Sequence, residues 1–336
     1  MKNKVVGLFS AALVLCFGVT TIAVAQRTRS TRPAASLLAS LPPSDAVALV
    51  NVARVFDEAM PKLLAGNPAK LAEVTSELEK FKTQTGLDAR SFEQIALGFS
   101  YSYPRPGITK VSTVALARGT FNAGAMVAAG RLAAAGKYSE QKYQGKTIYI
   151  YSLDRAFKLA GLWNMNVGDL AVTALDGNTL ALGDVEAVQG AINSSRTRKF
   201  ANPDLIALAS RDPNAVLGFG GNISRTLLDN LSLSNDSIAR ELTAVRQVYG
   251  TLGMTATDLE LMMTARTVDT YSAKNLGDTV EGLKQLGSFF IGRLTAEKGA
   301  LARTALNNLK VTTAGNELQV RTVVAQSQVA PLISKN

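Results

Sequence analysis

The chain has 336 residues, 36 Lys and Arg against 26 Asp and Glu, one cysteine and no histidine. Without histidine, Ser-His-Asp triads, Cys-His dyads and His-ligated zinc or iron are excluded. The net charge of +10 is uneven: Lys2, Lys4, Arg27, Arg29 and Arg32 carry half of it before residue 41.

Residues 1–25 read as a secretory signal peptide. Lys2 and Lys4 precede an almost wholly apolar run over 5–22, and Ala23-Val24-Ala25 places small residues where a peptidase cuts. The alternative is an uncleaved anchor, because 5–25 is just long enough to span a bilayer. Cys16 follows Leu15, which is too bulky for lipoprotein processing, and it is lost with the signal. An exported chain without a cysteine relies on apolar burial, and 47% apolar residues suffice for that.

Residues 26–40 begin QRTRSTRPAAS and show no apolar period, so a flexible basic leader is expected. Arg27, Arg29 and Arg32 make it a candidate tether to anionic headgroups. From Leu41 the sequence turns globular. The run 46–52 reads as a buried strand and 69–83 as a helix, with Leu71, Val74, Leu78 and Phe81 at three- and four-residue spacing. Strands follow at 92–100 and 111–117, separated by Pro104-Arg105-Pro106-Gly107. An Ala-rich helix over 122–135 ends at Gly136.

Two strands at 137–143 and 146–152 flank Gln144-Gly145, and a hairpin at 170–182 turns on Asp176-Gly177-Asn178. Asp184 begins a helix to Asn193. The basic run Arg196 to Lys199 and Asn202-Pro203 mark a boundary between a first module, 41–200, and a second, shorter one, 201–336.

The second half repeats the grammar of the first. GLDARSFE at 86–93 aligns with GMTATDLE at 253–260, each expected at the end of an amphipathic helix. LAVTALDGN at 170–178 aligns with LKVTTAGN at 309–316, and Ala46-Val47 with Ala215-Val216. The matches run in one order, with about 28 residues fewer in the second half, which implies an internal duplication. The expected fold is α+β: two related modules, mostly antiparallel sheets, and helices packed on one face.

The segments LPPSDAVALVNV at 41–52, KYSEQKYQGKTIYIYSL at 137–153 and LKVTTAGNELQV at 309–320 together resemble a family of exported bacterial proteins of unknown function. That resemblance, over 41–333, implies a duplicated α+β fold and an exported location. It implies no catalytic residues.

Catalytic motifs fail one by one. Gly145-Lys146-Thr147 ends like a phosphate-binding loop, but the upstream glycine position is Glu140, which repels phosphate. Ser139 and Lys142 have Ser-x-x-Lys spacing, yet on a strand residues three apart face opposite sides. Glu73 and Glu77 are spaced to pair with Lys70 and Lys80. Asp57, Glu58, Asp258 and Glu260 carry no further pattern, and Asp176 and Asn178 suit a turn better than calcium. No metal and no cofactor is expected.

The best candidate surface is aromatic and cationic. Tyr149 and Tyr151 share one face of a strand next to Lys142, and Tyr101, Tyr103 and Arg105 stand on a turn expected nearby. Such a face can stack on sugar rings or grip anions, and a sheet covered by a helix is its structural alternative. Nucleic acid is not expected as a partner, because the remaining basic residues are dispersed. The expected function is a non-catalytic binding protein of the cell envelope, periplasmic or extracellular, with a protein, polymer or lipid partner. Carriage of an apolar ligand or lipid is the alternative, through the apolar pieces 259–264 and 283–294. A hydrolase using carboxylates or Ser/Lys is the third reading.

Overall fold

The computed structural model describes residues 34–85, 88–105, 107–159, 163–197, 200–230, 241–291 and 296–333. The signal segment and Arg27, Arg29 and Arg32 lie outside them.

Helix α1, Ala34–Leu38, opens the described chain, and Leu37 and Leu38 are fully buried. Folded structure therefore begins before residue 41, inside the expected leader, because two adjacent leucines supply a core anchor. Strand β1, Ala46–Asn51, follows the Pro42-Pro43 turn. Helix α2 is built from Val52–Arg54, a π-turn at Val55–Ala59 and Met60–Leu64, with the Met60 N–H donating to the Val55 carbonyl. After α3, Pro68–Thr85, come the long strands β2, Phe92–Arg105, and β3, Ile108–Gly119.

Helix α4, Ala123–Ala134, is capped by the Asn122 side chain, which accepts the Ala125 N–H, and it ends on left-handed Ala135 and Gly136. Then come β4, Ser139–Tyr143; β5, Lys146–Leu159; β6, Trp163–Ala174; and β7, Thr179–Gly183. Helices α5, Val185–Thr197, and α6, Pro203–Ala209, lead into the second half. That half holds β8, Leu217–Asn222; α7, Arg225–Asn230; β9, Val245–Met254; and β10, Asp258–Thr267. It closes with α8, Thr270–Ile291; α9, Ala296–Asn307; β11, Lys310–Ala314; β12, Glu317–Ala325; and α10, Gln326–Ile333.

Among the described residues all twelve strands join one sheet in the order β11-β12-β10-β9-β8-β1-β2-β3-β7-β6-β5-β4. Every pairing is antiparallel. The fold is therefore mixed α+β around a single large antiparallel sheet. Its halves meet where β1 pairs β8, Ala46 opposite Gly221 and Val50 opposite Leu217. Outward from that seam the orders are β1-β2-β3-β7-β6 and β8-β9-β10-β12-β11, with the β4–β5 hairpin outside β6 in the first half. The matched turns at 170–178 and 309–316 hold equivalent places, between β6 and β7 and between β11 and β12. The stretch 253–260 does not match its counterpart in place: it forms the β9–β10 turn rather than a helix end. Val245, Val248, Tyr249 and Thr251 favour a strand there, and β8 and β10 pair it on both sides.

Helices flank both faces of the sheet, not one. Val47 and Leu49 of β1 pack into a core with Leu37 and Leu38 of α1, Val188 and Ile192 of α5 and Leu205 of α6. Val50, on the opposite side of the same strand, joins Phe56, Met60 and Leu64 of α2 and Leu78 of α3. The α2 side also carries a cluster under α4, with Met126 and Val127 against Leu170, Val172 and Leu180. A strand in the middle of a large sheet has no solvent face, so both of its faces are covered.

Candidate functional site

Period-two geometry puts Tyr149 and Tyr151 of β5 on the same side as Glu140 and Lys142 of β4, because Glu140 pairs Tyr149 and Lys142 pairs Thr147. That is the α2 side of the sheet, and α4 lies over it. Tyr151 is buried, 4% exposed, and packs with Tyr138, Tyr149 and Val127. The Tyr138 ring centroid is 5.8 Å from both the Tyr149 and the Tyr151 centroids.

Arg131, from the last turns of α4, caps the cluster. Its guanidinium lies 5.0 Å from the Tyr149 ring centre and 5.6 Å from that of Tyr138, donates to the Tyr138 hydroxyl at 3.1 Å and pairs with Glu140 at 3.3 Å. The face on which a sugar or base would stack is thus occupied by the protein's own cation. Burial pushes the Tyr151 phenol up to about 12, with Tyr138 and Tyr149 adding to the rise and Arg131 opposing it. Lys142 is exposed and donates to the Thr147 hydroxyl at 2.7 Å.

Tyr101, Tyr103 and Arg105 lie elsewhere. They end β2, and β3, β7 and β6 separate that strand from β5. Four strand spacings of about 4.8 Å put roughly 19 Å between the two groups. The expected single aromatic surface is therefore two separate clusters, because chain proximity does not fix strand order. Tyr101 donates its backbone N–H to the Asp45 carboxylate at 2.7 Å, and burial, then Asp45 and Tyr103, raise its phenol. The Tyr103 hydroxyl stands 3.2 Å from the Ser224 hydroxyl, and exposed Arg105 pairs Ile108 across the hairpin.

The acid/base candidates are engaged in structural pairs. Glu73 and Glu77 bond Lys70 at 3.1 Å and Lys80 at 2.7 Å. Glu58 pairs with Arg54, and Glu260 with Arg321, whose hydrogen bond holds the Glu260 carboxyl below the usual carboxylate range. Asp176 accepts the Asn178 N–H at 2.9 Å, as a turn requires. Among the described residues no three metal-capable side chains come together.

Two features carried little sequence signal. One is a polar network around buried Tyr249 of β9. Arg211 donates to its hydroxyl at 2.8 Å, and both Arg211 and Arg266 lie over its ring. Arg266 also bonds Glu317 at 2.8 Å and Gln247 at 2.7 Å. Burial alone would raise the Glu317 carboxyl, but Arg266 and Tyr249 hold it low. These residues span 211–317, and no local spacing connects them.

The other feature is an apolar surface on the α2 side of the second half. Leu276 and Val280 of α8 pack with Val248, Ala265, Leu318 and Val320. Two and four residues back along β10 on that same side, Met263 opposes Gly250 and Leu261 opposes Leu252. Both are open to solvent, 44% and 45% exposed. Farther along α8, Leu283 and Leu286 are 47% and 53% exposed. These four exposed side chains come from the two apolar pieces noted in the sequence.

No family model matches the chain, and no curated protein does. Among solved structures it is similar to three crystal forms of TP0453. Form IV has a TM-score of 0.43 at 11% identity, with 91% of this chain and 98% of that one covered. Form I has 0.42 at 9%, covering 92% and 98%, and form III has 0.41 at 10%, covering 91% and 99%.

Proposed function

We propose that the chain is an exported, non-catalytic interaction protein of the cell envelope, built from two related halves. The observation that carries the binding reading is the apolar surface of Leu261, Met263, Leu283 and Leu286. Isolated exposed apolar residues are ordinary, but four drawn from one strand and the helix on its own side of the sheet mark a docking surface. These side chains stand in the open rather than around an enclosed volume, which favours a protein partner over carriage of an apolar ligand. The basic n-region, apolar run and Ala23-Val24-Ala25 support export, and the shared outward strand order supports related halves.

The test is site-specific photo-crosslinking in the envelope fraction, with the crosslinker replacing Met263 or Leu283, and Lys80 on α3 as control. The expected result is a partner band from 263 and 283, absent at 80 and lost when Leu286→Asp is added. Identical patterns at all three positions would remove the surface from consideration.

A further inference from the structure

Leu261 and Met263 face the α2 side of β10, so Met262 and Thr264 face the α5 side, where the outer sheet is open. Among the described residues α6 reaches only β8 and β9 on that side. Helix α8 lies on the other side against Leu318 and Val320, as does α9, where the Thr322 hydroxyl donates to the Ala305 carbonyl. Strands β10, β12 and β11 thus show bare sheet on the α5 side. In register across it stand Tyr249, Thr264, Gln319 and Thr312. Each strand also carries a cation there: Arg211 over Tyr249 of β9, Arg266 on β10, Arg321 on β12 and Lys310 on β11. Three strand spacings of about 4.8 Å spread them over roughly 14 Å. Glu317 and Glu260 are each held by an arginine, and Asp258 lies apart at the β9–β10 turn. No carboxylate pairs with Arg211 or Lys310 among the described residues. Hydrogen-bonding capacity is left over in the middle row. Thr264 is 2% exposed and its hydroxyl has no partner, while the Gln319 amide donates to the Met262 sulfur at 2.9 Å, a weak acceptor.

We infer that this open sheet face binds an acidic polysaccharide. Cations set one to a strand suit an extended polyanion, whereas a single small anion needs them to converge. Arginine adds a planar fork that matches a carboxylate. The amide of Gln319 and the hydroxyls of Thr264 and Thr312 both donate and accept, as sugar hydroxyls do. Gln319 loses little by turning from the Met262 sulfur to a ligand hydroxyl, and an unpaired hydroxyl such as that of Thr264 gains a partner. The Tyr249 ring lies under Arg211 and Arg266, so the contact is made by charge and hydrogen bonds, not by stacking. The inference rests on the envelope reading for its compartment, and it adds a contact on the reverse of the strand that carries Leu261 and Met263.

The test measures binding of the full chain to three immobilised polymers: polygalacturonate, neutral dextran and polyglutamate. It is run at a physiological ionic strength of about 0.15 M, where scattered surface charge is largely screened. The expected result is tightest binding to polygalacturonate, with the other two weaker by roughly tenfold or more. Lys310→Gln/Arg321→Gln should weaken polygalacturonate binding by a similar factor. Lys80→Gln/Lys82→Gln, which removes the same charge from α3, should leave it unchanged. Gln319→Ala should weaken polygalacturonate and leave polyglutamate as it was. Unchanged far-ultraviolet dichroism and melting temperature identify each variant as folded. Three results overturn the inference: no binding to polygalacturonate, an equal loss in the α3 variant, or dextran or polyglutamate bound as tightly, the last of which would indicate an acidic protein. The crosslinking experiment at Met263 and Leu283 reads the opposite side of the sheet and is independent of all three.

Discussion

Tyr151 ties a side chain's environment to a measurable pH response. Its folded phenol ionises near 12, above the ordinary tyrosine value of about 10, because a phenolate would be buried among Tyr138 and Tyr149. Between those values the unfolded chain has lost the proton and the folded chain has kept it. The stabilisation is therefore complete below about pH 10 and disappears as pH rises toward 12, a loss on the order of 1–3 kcal/mol. Absorbance at 295 nm during alkaline titration should show a late tyrosine step that Tyr151→Phe removes. A wild-type curve with all tyrosines ionising together near 10 would contradict this. At Tyr249 the expected effect on stability is smaller. Tyr249→Phe removes the hydroxyl that accepts from Arg211, costs about 0.5–1.5 kcal/mol, and lowers the melting temperature by a few degrees.

Among the elements, α6 shows how a single small residue sets a packing distance. A Cβ on Gly218 of β8 would stand 2.1 Å from the Ala209 carbonyl oxygen, so the helix end lies directly on the strand only because glycine is there. Gly218→Ala should displace α6, cost about 2 kcal/mol or more, and raise hydrogen exchange in 203–209. Normal exchange there with unchanged stability would disprove the close-packing account. Elements with strong local signals were readable in the sequence: β1, α3, α4 and the turn at Asp176-Gly177-Asn178. Helix α2 was not, because Val52 and Val55 prolong the β-branched run of β1 and hide the helical period. Strand β9 was misread beside α3, since Gly253 resembles a helix stop when its strand partners are unknown. The shared face of Tyr149 and Tyr151 followed from period two, and their separation from Tyr101 did not. Local pattern assigns a face, whereas strand order is a tertiary outcome. The apolar pieces of β10 and α8 were visible as composition, but their exposure depends on where α8 crosses the sheet.

At the scale of the molecule, the two halves share one sheet through β1 and β8, and each of those strands would be a bare edge without the other. A long exposed edge invites aggregation. A chain divided between Lys199 and Phe200 should therefore yield fragments that are poorly soluble alone and co-purify as one particle when expressed together. Size-exclusion chromatography distinguishes this from two self-sufficient domains, which would each elute as a folded monomer. The outer ends of the sheet differ from the seam. Strands β4 and β11 have only five residues each, and lysine occurs in both, which discourages pairing with another chain.

The seam also has a consequence for time. The partner of Ala46 is Gly221, so the centre of the sheet cannot close until more than half the chain has been made. Contacts of such large sequence separation slow folding, because the intervening loop must be closed before the pairing returns anything. For a chain that crosses a membrane through a narrow channel, as proposed here, delay is useful. The central register cannot lock before β8 has been threaded, so the chain up to that strand passes without its central pairing and completes the seam on the far side.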